Sequence, residues 1–274
     1  MTRLPSIFVS HGAPTFALEP GRAGELLAAL GRSLGKPRGV LVLSPHWMTE
    51  QLTLGLSSRP KTIHDFGGFP TELYRLQYAA PGAPDIAREA AQLLGAAGES
   101  AAFDPDRGLD HGVWVPLRYM FPRADVPIVP LSMPVTLDAR RAWKLGRGLA
   151  PLADTGILIV GSGSLTHNLY EFRLQGSPGD AQYAKEFVSW ARDALRRGDR
   201  SALVDYLSVA PHARRAHPTP DHYLPLPFAA GAAGNDAHPE TLEGGMTYGI
   251  LSMESYVFGA FDTAQVLTPM ALAT

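Results

Sequence analysis

The sequence contains no cysteine. That absence excludes a disulfide scaffold, a thiolate-bound zinc or iron–sulfur site, and a thiol nucleophile. Charge of one sign is also missing in any excess, since 24 Lys and Arg stand against 26 Asp and Glu for a formal net charge of -2. With no basic surplus to neutralise phosphates, neither nucleic acid nor an anionic membrane surface is expected as a partner. Long apolar runs are lacking as well. The first such stretch, Ile7-Phe8-Val9, is too short for a signal-peptide core or a membrane span, so a cytoplasmic setting is the expectation. No Asn-x-Ser/Thr sequon occurs, which agrees with it.

What is present is a chain of 274 residues, 45% apolar, with 28 Gly and 24 Pro. The apolar share supports a globular core, and the Gly and Pro content predicts short elements joined by shaped loops. Apolar, β-rich runs at Ser6–Ser10, Gly39–Ser44, Pro127–Leu131, Gly156–Val160 and Tyr248–Met253 predict strands buried on both faces. Between them, stripes at helical spacing predict helices over Arg22–Leu34, Ala83–Leu94, Ala139–Leu152 and Asp180–Arg197. The last has Asp180 as its N-cap and Gly198 just past its end. The alternation predicts a single layered α/β domain over residues 1–274, with a largely parallel central sheet flanked by helices. No internal repeat or linker divides it.

The nine histidines carry the chemistry. His11 follows the first predicted strand, His46 the second, and His167 the Gly156–Val160 strand through the small-residue loop Gly161-Ser162-Gly163-Ser164. In open α/β sheets the carboxyl ends of strands form the ligand crevice, so three strands each deliver an imidazole to one edge. One histidine after a strand is ordinarily a hydrogen-bonded structural residue; three at one edge point to a bound metal. A cysteine-free imidazole cluster suits zinc, iron, copper or nickel. His64, His111 and His222 lie in loops rich in Gly, Pro and aromatics, where binding residues concentrate, whereas His212 and His238 read as surface residues. A zincin helix, a phosphate loop, a dinucleotide fingerprint and a serine-hydrolase elbow are all excluded, because none of their patterns occurs.

Six motifs in order then carry a resemblance. His11-Gly12-Ala13-Pro14, Ser44-Pro45-His46-Trp47, His64-Asp65-Phe66-Gly67-Gly68-Phe69-Pro70, Asp110-His111-Gly112, Thr166-His167-Asn168 and Thr219-Pro220-Asp221-His222-Tyr223-Leu224-Pro225 together resemble the class III extradiol ring-cleavage dioxygenases. Within that class the sequence is most similar to the 4,5-DOPA dioxygenase group, related to the β subunit of protocatechuate 4,5-dioxygenase. The likeness spans residues 6 to about 256, and residues 262–274 match no pattern.

The resemblance implies a non-haem Fe(II) enzyme that opens a catechol-type ring with O2 to give a semialdehyde, using a small-molecule substrate. Carried over by motif, His11, His46 and His222 are metal ligands and His167 is the active-site base, with contact between His167 and the metal left open. The third ligand departs from the protocatechuate enzymes, which use a glutamate where this chain has His222. His111 is a second acid–base candidate. His64, Asp65 and the Phe66–Pro70 loop, with Phe69, are expected to line the substrate mouth, and Tyr223, beside His222, to orient the substrate ring or a ligand. Imidazole sites bind zinc at least as tightly as Fe(II), so zinc is expected to occupy the site in purified material. The same residues would also serve a zinc hydrolase or a non-catalytic metal- or catechol-binding protein, and both monomer and homo-oligomer remain open.

Overall fold

Every residue of the first apolar run, Ser6–Ser10, is buried, and the second continues buried from Gly39 to Pro45. The computed structural model describes residues 3–173, 181–234, 239–259 and Val266. In chain order its first elements are β1 (Ser6–Ser10), α1 (Gly21–Leu34), β2 (Gly39–Thr49), β3 (Thr53–Gly55), α2 (Pro84–Ala96), β4 (Ala102–Asp104), α3 (His111–Met120), β5 (Ile128–Pro134), α4 (Ala139–Leu149) and β6 (Ile157–Gly163). There follow α5 (Leu169–Arg173), α6 (Gln182–Arg196), the short α7 (Arg200–Val204), α8 (Tyr206–Val209) and α9 (Ala213–Ala216), then α10 (Pro225–Ala233). The chain closes with β7 (Pro239–Leu242), β8 (Met246–Thr247), β9 (Leu251–Ser252) and β10 (Ser255–Phe258).

Among the described residues the main sheet has eight strands in the order β4-β3-β5-β2-β6-β1-β10-β7. Its centre, β5-β2-β6-β1, is parallel. Antiparallel partners close it on either side, β3 against β5 and β10 against β1. Alternation along β2 divides the interior: Leu41 and Leu43 face a core shared with α2, α4, α6 and α10, while Val40 and Val42 face one shared with α1 and α3. Each such buried aliphatic contributes about 1.5–3 kcal/mol, so the parallel centre is held from both faces.

The fold matches the α/β expectation, with local differences. The Ala139–Leu152 helix ends at Leu149, and its cap is sound, since Asp138 accepts a hydrogen bond from Arg141 N at 2.7 Å. The expected cap Asp180, His238 and nearly all of the 262–274 tail lie outside the described residues. The predicted strand Tyr248–Met253 is corrected. Tyr248 and Gly249 both have positive φ, at 52° and 65°, which bends this segment into the turn of the β8–β9 hairpin. The sheet strand is instead the four-residue β10. The helix α10 went unanticipated because Pro225 and Pro227 make its start read as a loop; proline is tolerated in a first turn, where N–H groups have no helical partner. Among the described residues, no helix is long and apolar enough to cross a membrane.

Candidate active site

The parallel centre places the histidines. His11 follows β1 directly, and its backbone N–H donates to Gly163 O of β6 at 2.9 Å, which anchors it at the sheet edge. His46 sits where β2 loses register against β5, between Leu43 and Met48. Such a bulge re-aims side chains, and here it brings His46 Nε2 to 3.1 Å from His11 Nε2. His222 arrives from the turn before α10. That turn lies directly on β6, and a Cβ at Gly163 would fall 2.3 Å from His222 O. Gly163 therefore admits the His222 backbone and Gly161, where a Cβ would fall 2.1 Å from Pro225 O, admits the start of α10; both lie in β6, where the sequence had suggested a loop leading to His167.

The ligand-capable nitrogens of His11, His46 and His222 all lie within 4.8 Å of one another. In each ring, Nδ1 faces an oxygen: Ser162 Oγ at 3.0 Å for His11, Asp65 Oδ2 at 3.2 Å for His46, and Asp221 Oδ2 for His222. With the proton on Nδ1, Nε2 carries the lone pair. His222 Nε2 is buried and has no hydrogen-bond partner. The His222 ring lies 5.3 Å from that of His11 and 5.1 Å from that of His46, and a buried acceptor left without a partner is unfavourable by itself, which a shared cation would resolve. Histidine backed by carboxylate is the usual second layer of an imidazole metal site. These residues fit a metal.

Burial, followed by the neighbouring imidazoles, holds His11 and His222 well below the ordinary histidine range. Burial first and His111 second bring His46 down to about 3, against the opposing pull of Asp65. All three are neutral near pH 7, the form that ligates. Burial would raise Asp65, but its hydrogen bond from His111 and the imidazoles beside it bring it to about 2.

His111 begins α3 and joins the cluster, its ring 3.9 Å from His46 and 5.4 Å from His11 between centroids. Asp65 fixes it twice, accepting from its backbone N–H and from Nδ1, both at 2.9 Å. Asp65 is thus shared by His46 and His111, a support for two imidazoles where the sequence suggested a substrate contact. His167 stacks on His222, with centroids 3.5 Å apart and planes 7° from parallel. Burial lowers it to about 4 despite the opposing charge of Asp221.

His64 and Phe69 stand one ring back. Phe66 lies between them and the cluster, edge-on to His64, Phe69 and His111 at 5.8, 5.6 and 5.7 Å. Tyr223 departs from expectation. It is fully buried, stacked on Tyr206 at 3.7 Å, and its hydroxyl donates to Leu203 O at 2.9 Å. Adjacent residues in a turn project to different sides, so Tyr223 supports the core beneath His222. Sequence reasoning also missed Asp110, which is wholly buried and accepts from Ser44 Oγ and Arg107 Nη2, both at 2.7 Å. Arg107 Nη2 also reaches His46 O at 3.2 Å, tying down the bulge. The signal was an aspartate in the His111 motif; one partner, Arg107, is only three residues away, but the other, Ser44, lies 66 positions away in β2.

A parallel-centred sheet with imidazoles converging at its carboxyl edge defines a metal-capable α/β enzyme scaffold. Residues 7–259 match the family model of the catalytic LigB subunit of aromatic ring-opening dioxygenase, and the chain belongs to that family. It is 40% identical over 261 residues to 4,5-DOPA dioxygenase extradiol of Beta vulgaris, covering 92% of this chain and 96% of that protein. To the protein of the same name from Escherichia coli (strain K12) it is 37% identical over 263 residues, covering 94% and 96%. The crystal structure of an uncharacterized protein from Escherichia coli K12 has the same fold, with a TM-score of 0.77 and 30% identity over 94% of this chain and 100% of that one.

Proposed function

We propose that this chain is an Fe(II)-dependent extradiol dioxygenase acting on a catechol, with His11, His46 and His222 as metal ligands. The observation that carries the reading is that three imidazoles each bring a nitrogen within 4.8 Å of the other two, while Nδ1 of each ring faces an oxygen. Bound there, Fe(II) supplies the redox-active centre that lets triplet O2 react with a closed-shell catechol, which zinc, lacking redox chemistry, does not.

The chain's own residues hold substrate and move protons. His167, neutral at physiological pH, takes a hydroxyl proton from the catechol. Its ring is nearly parallel to that of His222, and in-plane lone pairs of parallel rings do not converge on one ion, which supports His167 as the base in preference to a fourth ligand. His167, once charged with the catechol proton, returns it as the ring opens; His111, with Nδ1 committed to Asp65, keeps its Nε2 lone pair to accept a proton and can donate only after doing so. Phe66 presents an aromatic face to the substrate ring, with His64 and Phe69 packed behind it. The names of the relatives make an amino-acid-bearing catechol the first substrate to try.

The test is O2 uptake by enzyme stripped of metal and reloaded anaerobically with Fe(II), offered catechol, protocatechuate, DOPA and caffeate in turn, with zinc-loaded enzyme alongside. Uptake with iron alone and a yellow ring-opened product are expected. Ester or amide hydrolysis by the zinc form, with no uptake by fully iron-loaded enzyme, would overturn the proposal in favour of a hydrolase.

A further inference from the structure

Ser162 lies in β6, fully buried, with its hydroxyl between two partners. One is His11 Nδ1 at 3.0 Å; the other is the carbonyl oxygen of Gly112, at the start of α3. A hydroxyl has one proton to give, and a carbonyl oxygen can only accept. The Ser162 proton therefore points to Gly112, and a Ser162 lone pair faces His11. Nδ1 must then be the protonated nitrogen of His11, and Nε2 the one with the lone pair. We infer that Ser162 is a positioning residue that, steered by the Gly112 carbonyl, fixes the tautomer of His11 and turns its Nε2 toward His46 and His222. This rests on the proposed reading of His11 as a metal ligand.

The other two imidazoles need no such relay. Asp65 and Asp221 are carboxylates, which accept from Nδ1–H without having to be oriented. Ser162 is neutral and can either donate or accept, so its polarity must be set from outside. Gly112 sets it because its backbone is packed tightly in place. A Cβ there would fall 2.6 Å from Ser44 Oγ, 2.9 Å from His46 Cδ2 and 3.2 Å from Asp110 Oδ1. The same turn reaches the other side of the site, where the Asp110 carboxylate accepts from Ser44 Oγ, and Ser44 Oγ in turn faces His46 N at 3.3 Å. The start of α3 thus supports His11 through a carbonyl and His46 through a carboxylate. A substitution at Gly112 would disturb both, whereas one at Ser162 disturbs His11 alone.

Zinc is the probe, measured by competition with a chromogenic chelator on wild type, Ser162→Ala and His11→Ala. Ser162→Ala should keep the fold, read as an unchanged circular dichroism spectrum, and lose zinc affinity by about 10–100-fold, the usual effect of removing a partner behind a ligating imidazole. Wild-type affinity in Ser162→Ala overturns the inference. His11→Ala separates the two levels: if it too binds zinc like the wild type, the metal reading itself is wrong. If it loses zinc while Ser162→Ala does not, only the role of Ser162 fails. A measurement on the wild type guards against a variant that does not fold. In zinc-loaded enzyme labelled with 15N on histidine, His11 should show a hydrogen-bonded Nδ1–H proton, downfield and slow to exchange with water. A metal-bound Nδ1, or an Nδ1–H exchanging freely, overturns the inference.

Discussion

His217 and His222 lie five residues apart on one turn. Both are buried, both have a pKa driven down mainly by burial, and both leave one ring nitrogen without a partner. Around His222 the rings of His11 and His46 stand 5.3 and 5.1 Å away, and Nδ1 is backed by a carboxylate. Around His217 the neighbours are Phe187, Tyr206 and Tyr223, and Nε2 donates to Leu165 O at 2.9 Å. Burial and a displaced pKa therefore do not mark a ligand by themselves. Convergence of lone pairs does, and His217 is a structural strut holding the loop that carries His167.

The largest effect should separate these two histidines. His222→Ala, like His11→Ala or His46→Ala, is expected to remove bound metal together with all measurable turnover. His217→Phe should keep the metal and lose stability, because Leu165 O loses its donor, at a cost of about 1–3 kcal/mol. Metal content by mass spectrometry and thermal melts of the same samples decide it. Full iron occupancy in His222→Ala would break the comparison at its base. His167→Ala comes next, retaining metal while turnover falls about 10²–10⁴-fold, the usual contribution of a general base. A variant with normal turnover would show that His167 is a spacer stacked on His222.

Much of this was legible in the chain. The strands at Ser6–Ser10 and Gly39–Ser44 announced themselves as apolar runs; His11 follows the first, as expected, whereas the second continues to Thr49 and carries His46 within its bulge, and the parallel topology brings both toward the carboxyl ends of the central strands. What could not be read was the supporting layer. Asp65 meets His111 46 positions along the chain, Asp110 meets Ser44 66 positions away and Ser162 meets His11 151 positions away, all through register and the β2 bulge, neither of which leaves a periodic trace. Tyr223, expected from its place beside His222 to orient the substrate ring or a ligand, is packed into the core behind that histidine, which fits the second of these and not the first.

The pH dependence of stability sharpens the same contrast, since it counts buried imidazoles whatever their function. His46 at about 3, and His167 and His217 at about 4, stay neutral in the folded protein where the unfolded chain titrates near 6.5. Below 6.5 the unfolded state takes up protons that the folded state refuses, so stability falls with acid from about 6.5 down toward 4. Each imidazole adds at most about 1.4 kcal/mol per pH unit. Denaturant melts of metal-free protein should show a slope of several such imidazoles, reduced by one in His217→Phe. A flat profile between pH 6 and pH 4.5 would mean that these rings are not held neutral.

The smallest predicted effect tests the neighbour of His222. Tyr223→Phe removes a buried hydroxyl whose only assigned partner is Leu203 O, so it should cost about 1 kcal/mol, a fall of roughly 2–4 °C in Tm for a domain of this size. The ring itself remains stacked on Tyr206, and no catalytic group changes place. Both kcat and KM for the best catechol should then equal those of the wild type. Had the Tyr223 hydroxyl oriented the substrate, KM would rise or kcat fall while Tm stayed put. A stability loss without a kinetic one places the boundary between site and core within two adjacent residues, with His222 on one side and Tyr223 on the other.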